Sequence, residues 1–203
     1  MKKYFMVIVL CVITVFFVGC NKSEKEASEA VDKAIVFHNK RMNNSIKSVD
    51  EEIKEVKDYD IDKDVEEARE NLEFRKSSLT DDGYKKEKSK VDGIKEEYQN
   101  EKFPEELKRL ENSKRNHEES KFDREKSYII VYEDDNNYYV LIRKNKDKEV
   151  VVKGFKVGKE NGRVTQKDKD WKKIEEYYED NTEPIYEEKN VDLSSDTIEL
   201  THI

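Results

Sequence analysis

The spacing of apolar residues changes once along the chain, from a helical period before residue 127 to a strand period after it. Between residues 24 and 57, apolar positions recur every three or four residues, which is the spacing of one helix face. The residues in this stripe are Val31, Ile35, His38, Met42, Ile46, Val49, Ile53 and Val56. We predict an amphipathic helix here, either continuous or divided by the asparagines at 43–44 and the capping pattern at 48–51.

Weaker helical stripes continue to residue 110, and Lys and Glu fill most of the other positions. We predict turns at residues 60–62 and 80–83, where Asp, Thr and Gly cluster, and a break at Phe103–Pro104. Narrow apolar stripes pair as an antiparallel hairpin or a short coiled coil. Residues 46–120 are therefore interpreted as a charged helical arm. The arm is a spacer or oligomerisation element or, alternatively, a specific binding surface.

From Ser127 onward, aromatic and β-branched runs alternate with short polar turns, which is typical of β-strands. The predicted strands cover residues 128–132, 138–142 and 150–157 and a short stretch near Val164. Their turn residues favour antiparallel hairpins, and Gly154 is a candidate β-bulge. We expect a short helix near Trp171 and a tail over residues 192–203.

An antiparallel sheet of this size needs a helix across one face to bury its apolar side chains. Residues 30–42 have the amphipathic pattern for that packing. The predicted core consists of Val31, Ile35, Ile130, Val140, Ile142, Val152 and Phe155. The predicted fold class is α+β: an N-terminal helix on a four-stranded antiparallel sheet, with the charged helical arm inserted between them.

The first twenty residues have the features of a bacterial secretion signal. Lys2 and Lys3 precede an uncharged, mostly apolar run over residues 4–18, which is shorter than the about 20 residues that span a membrane. Phe17-Val18-Gly19-Cys20 resembles a bacterial lipobox, in which the Cys thiol takes a diacylglyceryl group and the signal is removed before the Cys. We predict a signal peptide over residues 1–19 and lipid attachment at Cys20. An uncleaved N-terminal anchor is the alternative.

Charge dominates the composition, because 43% of the 203 residues are Asp, Glu, Lys or Arg and the net charge is −8. Loss of the signal peptide would remove Lys2 and Lys3 and leave Cys20 as the one cysteine, so no intrachain disulfide could form. An acidic chain does not have the basic surface of a nucleic-acid binder, and anionic lipid headgroups repel it. Membrane attachment should therefore depend on acyl chains, such as palmitate, on Cys20.

The sequence offers little for catalysis or cofactor binding. The three histidines, His38, His117 and His202, lack metal-ligand spacing, and His38 on the apolar stripe is interpreted as a packed or partly exposed helix residue. Residues 58–64 resemble part of a calcium loop but lack its glycine and its final glutamate. We predict no enzyme activity, no cofactor and no metal site.

Tyrosine is concentrated in the predicted sheet, where it offers a surface for a partner. Side chains two or four residues apart on a strand share a face, so Tyr128 and Tyr132 lie on one side, whereas Tyr138 and Tyr139 lie on opposite sides. Because tyrosine is favoured in protein interfaces, these four residues form our candidate partner surface. Core and cross-strand packing is the alternative.

Three segments, residues 30–35, 128–141 and 184–191, resemble a family of small Gram-positive lipoproteins with a cystatin-like fold. The family includes an exclusion lipoprotein of an integrative conjugative element, which blocks redundant transfer into a cell that already carries the element. With this resemblance, the expected order is signal peptide 1–19, lipid anchor and core helix 20–45, inserted arm 46–120, sheet region 121–191 and tail 192–203.

The resemblance implies a binding protein on the outer face of the cell membrane that acts in conjugation exclusion or immunity. Its partner would be an envelope or conjugation-machinery protein and not a nucleic acid, and the helical arm would allow self-association. A solute-binding lipoprotein and a structural spacer of the envelope are the alternatives.

Overall fold

A computed structural model describes the backbone of residues 2–146 and 149–191 and the side chains of residues 22–145 and 150–191. The chain divides into two compact units. The first, here called the sheet unit, comprises Met1–Met42 and Ser120–Ile203, and the second, the helical unit, comprises Asn43–Glu119. Helix α1 (Lys2–Asp58) begins in the sheet unit and ends in the helical unit.

The sheet unit contains a mixed arrangement of helices and an antiparallel sheet, which is an α+β fold. The strands are β1 (Tyr128–Glu133), β2 (Asn137–Lys146), β3 (Glu149–Gly158), β4 (Val164–Thr165) and β5 (Tyr186–Lys189). Their order across the sheet is β4-β3-β2-β1-β5, and every neighbouring pair is antiparallel.

Five strands form the sheet where we predicted four. The additional strand is β5, which pairs with β1 from Tyr186 opposite Val131 to Lys189 opposite Tyr128. Its sequence, Tyr-Glu-Glu-Lys, has no apolar alternation because it lies at the edge of the sheet with Glu187 and Lys189 exposed or half-exposed. An edge strand held by main-chain hydrogen bonds leaves only a weak sequence signal.

Helix α1 covers one face of the sheet, as predicted. Its small residues allow a close approach, and they pack with the inward side chains of the three long strands. The buried cluster consists of Ala27, Ala30, Val31, Ala34, Phe122, Ile129, Val131, Tyr138, Val140, Ile142, Phe155 and Val157. The packing of Val31 with Val140, Ile142 and Phe155 confirms that part of the predicted core.

A second helix, α5 (Asp168–Glu179), covers the opposite face, which corrects the prediction of a sheet covered on one face only. The cluster beneath it contains Ile130, Tyr132, Tyr139, Leu141 and Ile174. Ile130 and Val152, which we assigned to a core shared with α1, therefore pack on the α5 side. Alternation along a strand separates the two faces but does not show that both are covered.

Gly154 is not a bulge, because it pairs in register with Leu141 and the β2–β3 ladder continues on both sides of it. A Cβ at this position would lie 2.6 Å from Ile174 Cδ1 and 2.9 Å from Trp171 Cε3. The glycine therefore lets α5 approach the backbone of β3 closely.

The helical unit consists of the end of α1, α2 (Ile61–Arg75), α3 (Asp81–Glu97) and most of α4 (Phe103–Ser120). Few of its side chains are fully buried: these are Ile46, Val49, Val65, Leu72 and Leu110. α1 continues without interruption past residues 43–51, where the exposed asparagines cost only helix propensity. Thr80 caps α3 by accepting a hydrogen bond from the backbone N–H of Gly83.

The interruption predicted at Phe103–Pro104 is present as a π-helical turn and not as a full break, and α4 begins at Phe103 with Pro104 in its first turn. A π-helical turn, Tyr98–Lys102, joins α3 to α4, and the N–H of Phe103 donates to the carbonyl of Tyr98. Proline lacks an N–H and clashes with the preceding turn of a regular α-helix. Pro104 lies in the first turn of α4, directly after the π turn, and the first turn of an α-helix tolerates proline. In the part of the chain that the structure describes, no helix has the length and apolar character needed to span a membrane.

Candidate binding groove in the helical unit

An open groove of about 820 Å³ lies within the helical unit. Its lining comes from the end of α1, the start of α2, the end of α3, the π turn and the first turns of α4. The lining residues are Glu55, Val56, Tyr59, Ile61, Asp64, Ile94, Glu97, Tyr98, Lys102, Phe103, Glu105, Glu106 and Arg109. We call it the aromatic groove. Its volume lies in the range of sites that bind small molecules.

Three aromatic rings form the centre of the groove. The ring centroids of Tyr59 and Tyr98 are 5.3 Å apart, and those of Tyr98 and Phe103 are 6.1 Å apart. Tyr59 is 47% exposed, whereas Tyr98 and Phe103 are half-buried, so the row is open to solvent at its Tyr59 end. Aromatic side chains present a large rigid contact area and are therefore frequent anchors of protein interfaces.

The π turn explains why Tyr98 and Phe103 lie together. In the wider turn, residues five apart are joined by the backbone hydrogen bond from Phe103 N–H to the Tyr98 carbonyl. Tyr59 reaches the same place from the short connection between α1 and α2, where Asp60 caps α2 by accepting from the N–H of Asp62. Two local interruptions of regular helix thus build the aromatic centre.

The rim of the groove is acidic. Five of its lining residues are Asp or Glu, and only Lys102 and Arg109 are basic. Both cations are engaged: Lys102 pairs with Glu97 at 2.9 Å, and Arg109 holds Glu106 through two hydrogen bonds of 2.9 and 2.6 Å. The hydrogen bond from Arg109 lowers the pKa of Glu106, so this carboxylate stays ionised. A basic partner is therefore favoured over an acidic one.

The hydroxyl of Tyr59 donates a hydrogen bond to Asp64, and this bond raises the pKa of Tyr59. The contact holds the ring at the edge of the groove and orients the Asp64 carboxylate along the rim. Tyr59 therefore contributes an apolar face inside the groove and a polar group at its border.

The predicted lipobox and lipid-attachment site lie outside the residues whose side chains the structure describes. The side chains of Phe17, Val18, Gly19 and Cys20 lie outside the described residues, as does the predicted tail 192–203. Lipid attachment at Cys20 remains a prediction.

The four sheet tyrosines occupy the faces that their spacing predicted, but three of them are buried. Tyr132 and Tyr139 lie under α5, whereas Tyr138 lies on the α1 face. Tyr138 is 6% exposed and donates to Glu26 at 3.0 Å, and Tyr139 is 7% exposed and donates to Asp134 at 2.9 Å. Tyr128 is half-buried. This placement favours packing, the alternative interpretation, for Tyr132, Tyr138 and Tyr139.

His38 is a packed helix residue. Its ring lies 4.8 Å from the Phe122 ring centroid and 5.9 Å from that of Phe155, and its Nε2 bonds the Ser120 carbonyl at 3.0 Å. Burial lowers its pKa. Among the residues with described side chains, no group of three or more His, Cys, Asp or Glu residues could hold a metal ion.

A smaller cleft of about 240 Å³ lies in the sheet unit beside β4. It is basic, since its lining includes Lys156, Arg163, Lys167 and Lys169 and no Asp or Glu. Lys156 also pairs with the buried Asp170 at 3.3 Å. The cleft and the aromatic groove therefore have opposite electrostatic character.

Comparison of the chain with protein-family models, with curated proteins and with solved structures finds no match.

The aromatic groove was not predicted from the sequence. Tyr59 lies beside a predicted turn and Phe103 belongs to a predicted break, and neither feature by itself indicates a binding surface. An informative signal was present, since three aromatic residues fall at the interruptions of otherwise charged helices. Aromatic residues at such places have no regular helix face to join, and their clustering needs tertiary contacts.

Proposed function

We propose that this protein is a lipid-anchored extracytoplasmic binding protein whose aromatic groove docks a basic, amphipathic segment of an envelope protein. The lipobox-like sequence ending at Cys20 supports the anchor. The packing of α1 on an antiparallel sheet supports a cystatin-like arrangement of the sheet unit. The groove, which lies in the segment we interpreted as an arm, provides the binding surface.

The observation that carries the proposal is a row of three aromatic rings in an open groove, with Tyr59 exposed and Tyr98 and Phe103 half-buried, bordered by carboxylates. An amphipathic helix binds such a groove by placing apolar side chains on the rings and its charged side chains at the rim. The acidic rim attracts Lys and Arg on the partner and repels acidic competitors. The groove therefore selects by charge as well as by apolar contact.

The proposed cellular role is exclusion or immunity for a conjugative element, in which the bound segment belongs to a membrane component of the conjugation machinery. This role comes from the family resemblance of residues 30–35, 128–141 and 184–191. A structural spacer remains a rival, because long charged helices need no specific partner. No catalysis is part of the proposal.

The anchor is tested by replacing the nucleophile. In a Gram-positive host, Cys20→Ala should abolish metabolic labelling with palmitate and leave the protein either uncleaved or released from the membrane. Labelling of the variant at the wild-type level would contradict lipid attachment at Cys20. This result is independent of the groove.

The binding role is tested by transfer frequency into recipients that express the protein. Wild-type protein should lower acquisition of its cognate element, and Tyr98→Ala should reduce this exclusion on the order of tenfold or more, as loss of an interface anchor does. Phe74→Ala is the matched control, since Phe74 is an aromatic residue of the same unit that is 88% exposed and lies outside the groove.

Charge reversal at the rim gives a second, independent test of the groove. Glu105→Lys places a cation at an exposed rim position and should repel a basic partner. Retained exclusion by both Tyr98→Ala and Glu105→Lys, at equal surface expression, would remove the groove from the mechanism. Equal transfer with and without wild-type protein would contradict exclusion itself.

Solute binding has one specific observation in its favour, the basic cleft beside β4. A cleft lined by four cations suits a small anion. If this is the function, Lys169→Gln together with Arg163→Gln should weaken binding of such a solute and leave exclusion unchanged.

A further inference from the structure

Arg143 is the most unusual buried residue of the sheet unit. It lies on β2, opposite Tyr128 of β1 and Val152 of β3, and is 1% exposed. None of its three guanidinium nitrogens has a hydrogen-bond partner among the described residues. Since an arginine guanidinium has five N–H donors and stays protonated in proteins, Arg143 is a buried cation whose donors are unsatisfied.

Aromatic rings take the place of a counterion around Arg143. Its Cζ lies 5.5 Å from the ring centroid of Tyr128 and 5.9 Å from that of Tyr178 on α5. Tyrosine rings attract a cation through their faces, so they stabilise the guanidinium in part. They leave its N–H groups, which point outward in the guanidinium plane, without acceptors.

Glu187, the carboxylate that contacts the Tyr128 hydroxyl, does not pair with Arg143. It accepts a hydrogen bond from the Tyr128 hydroxyl and pairs with Lys189 at 3.2 Å. The hydrogen bond from Tyr128 lowers the pKa of Glu187, so it is ionised and engaged at the far end of the same ring. A buried charge without an opposite charge is strongly unfavourable, and proteins remove that cost by pairing it.

We propose that Arg143 is the receptor for a carboxylate group, which enters past the Tyr178 ring and takes two parallel hydrogen bonds from the guanidinium edge. The planar fork of arginine matches the planar carboxylate in this way. Tyr178 is 37% exposed, so the wall of the site on its side borders solvent. The site depends neither on the lipid anchor nor on the aromatic groove.

The carboxylate can come from two sources. One is a free carboxylic acid, and the other is the chain itself, because residues 192–203 contain Asp192, Asp196 and Glu199 and no Lys or Arg. The chemistry at Arg143 is the same in both cases, so the experiment has two parts, one for each source of the carboxylate.

The test uses the full-length protein labelled with ¹³C and ¹⁵N, and follows the Nε–Hε signal of Arg143, assigned with Arg143→Lys. Sodium acetate and sodium benzoate should shift this signal saturably, whereas sodium chloride at the same ionic strength should not. The midpoint temperature of thermal unfolding should rise with benzoate in the wild type and stay unchanged in Arg143→Met. Arg163→Met, which removes a cation from the basic cleft, should keep the response.

The second part of the experiment uses a triple variant that combines Asp192→Asn, Asp196→Asn and Glu199→Gln. If the chain supplies the carboxylate, acetate and benzoate should not shift the Arg143 signal of the wild type. In the triple variant, that signal should differ from the wild-type signal before any addition, and acetate and benzoate should then shift it saturably. Absence of a saturable shift in both proteins would overturn the proposal. A shift with inorganic phosphate but not with acetate or benzoate would overturn the assignment to a carboxylate.

Discussion

The two units of this protein use their apolar residues in opposite ways. The sheet unit buries two clusters, one on each face of the sheet, and the cluster between α1 and the sheet alone contains twelve buried residues. In the helical unit, α3 contributes no buried residue, and Phe74 is 88% exposed. Burial therefore stabilises the sheet unit, whereas the helical unit leaves aromatic surface exposed.

The ion pairs of the two units also differ in burial. In the helical unit, exposed pairs join neighbouring helices, with Lys95 bound to Asp62 and Lys114 to Asp50, each at 2.6 Å. Exposed pairs contribute little to stability. In the sheet unit, Arg124 is half-buried and holds α1 to β5 through Asp32 and Glu188, each at 2.5 Å. Arg124 also donates to the Tyr186 hydroxyl at 2.8 Å.

A unit with few buried contacts opens at a lower free energy than a well-packed one. We therefore expect the helical unit to unfold locally before the sheet unit does. That order suits a binding surface that adapts its helices to a partner while the sheet unit stays folded.

The largest expected effect is the loss of a core ring from the sheet unit. Phe155→Ala removes a side chain with no exposed surface and should lower the free energy of unfolding by about 3–5 kcal/mol. Phe74→Ala in the helical unit should change it by less than about 0.5 kcal/mol. Urea unfolding followed by Trp171 fluorescence measures the effect of Phe155→Ala, and urea unfolding followed by far-UV dichroism measures the effect of Phe74→Ala. Similar losses for both variants would contradict the contrast between the units.

Replacement of a glycine by alanine should change the free energy of unfolding in opposite directions in the two units. Gly154→Ala forces a Cβ against Ile174 and Trp171 and should destabilise the sheet unit by about 1–3 kcal/mol. Gly93→Ala in α3 meets no atom within 4 Å and should stabilise the helical unit by about 0.4–1 kcal/mol. Thermal unfolding of the two variants beside the wild type decides the point. A stabilising Gly154→Ala would mean that α5 does not pack closely on β3.

The sheet unit should also lose stability in mild acid through His38. Burial, and then the positive charges of Lys153, Arg41 and Lys144, lower the pKa of His38 below its ordinary value of 6.5. The unfolded chain then binds a proton that the folded chain does not, so stability falls as the pH drops below about 6.5. His38→Gln should flatten this part of the curve of unfolding free energy against pH. An unchanged slope in that variant would exclude His38 as the cause.

The smallest expected effect concerns the exposed ion pairs of the helical unit. Lys95→Gln removes the contact with Asp62 and should cost about 0.2–1 kcal/mol at low salt, and the difference should disappear in 1 M salt. Lys86→Gln is the matched control, because Lys86 is exposed on α3 and forms no ion pair with a described residue. A salt-independent loss on Lys95→Gln would show that Lys95 contributes by packing.

Local sequence determined much of the secondary structure. The change of period near residue 127 located the boundary between helices and strands, since side-chain direction follows the repeat of the backbone. The turn after β1 was also predictable. Asp134 accepts from the N–H groups of Asn136 and Asn137, which is the local bonding expected of such residues. The cap of α3 by Thr80 follows from the same short-range chemistry.

Tertiary structure alone decided which surfaces are covered. Alternation placed Tyr138 and Tyr139 on opposite faces, but only the packing of α1 and α5 shows that both are buried. The aromatic groove joins two stretches of chain, residues 55–64 and 94–109, and the aromatic rings around Arg143 join β1, β2 and α5. Periodicity reports the direction of a side chain within its own element. Burial depends on neighbours that are distant in sequence, and no local pattern specifies them.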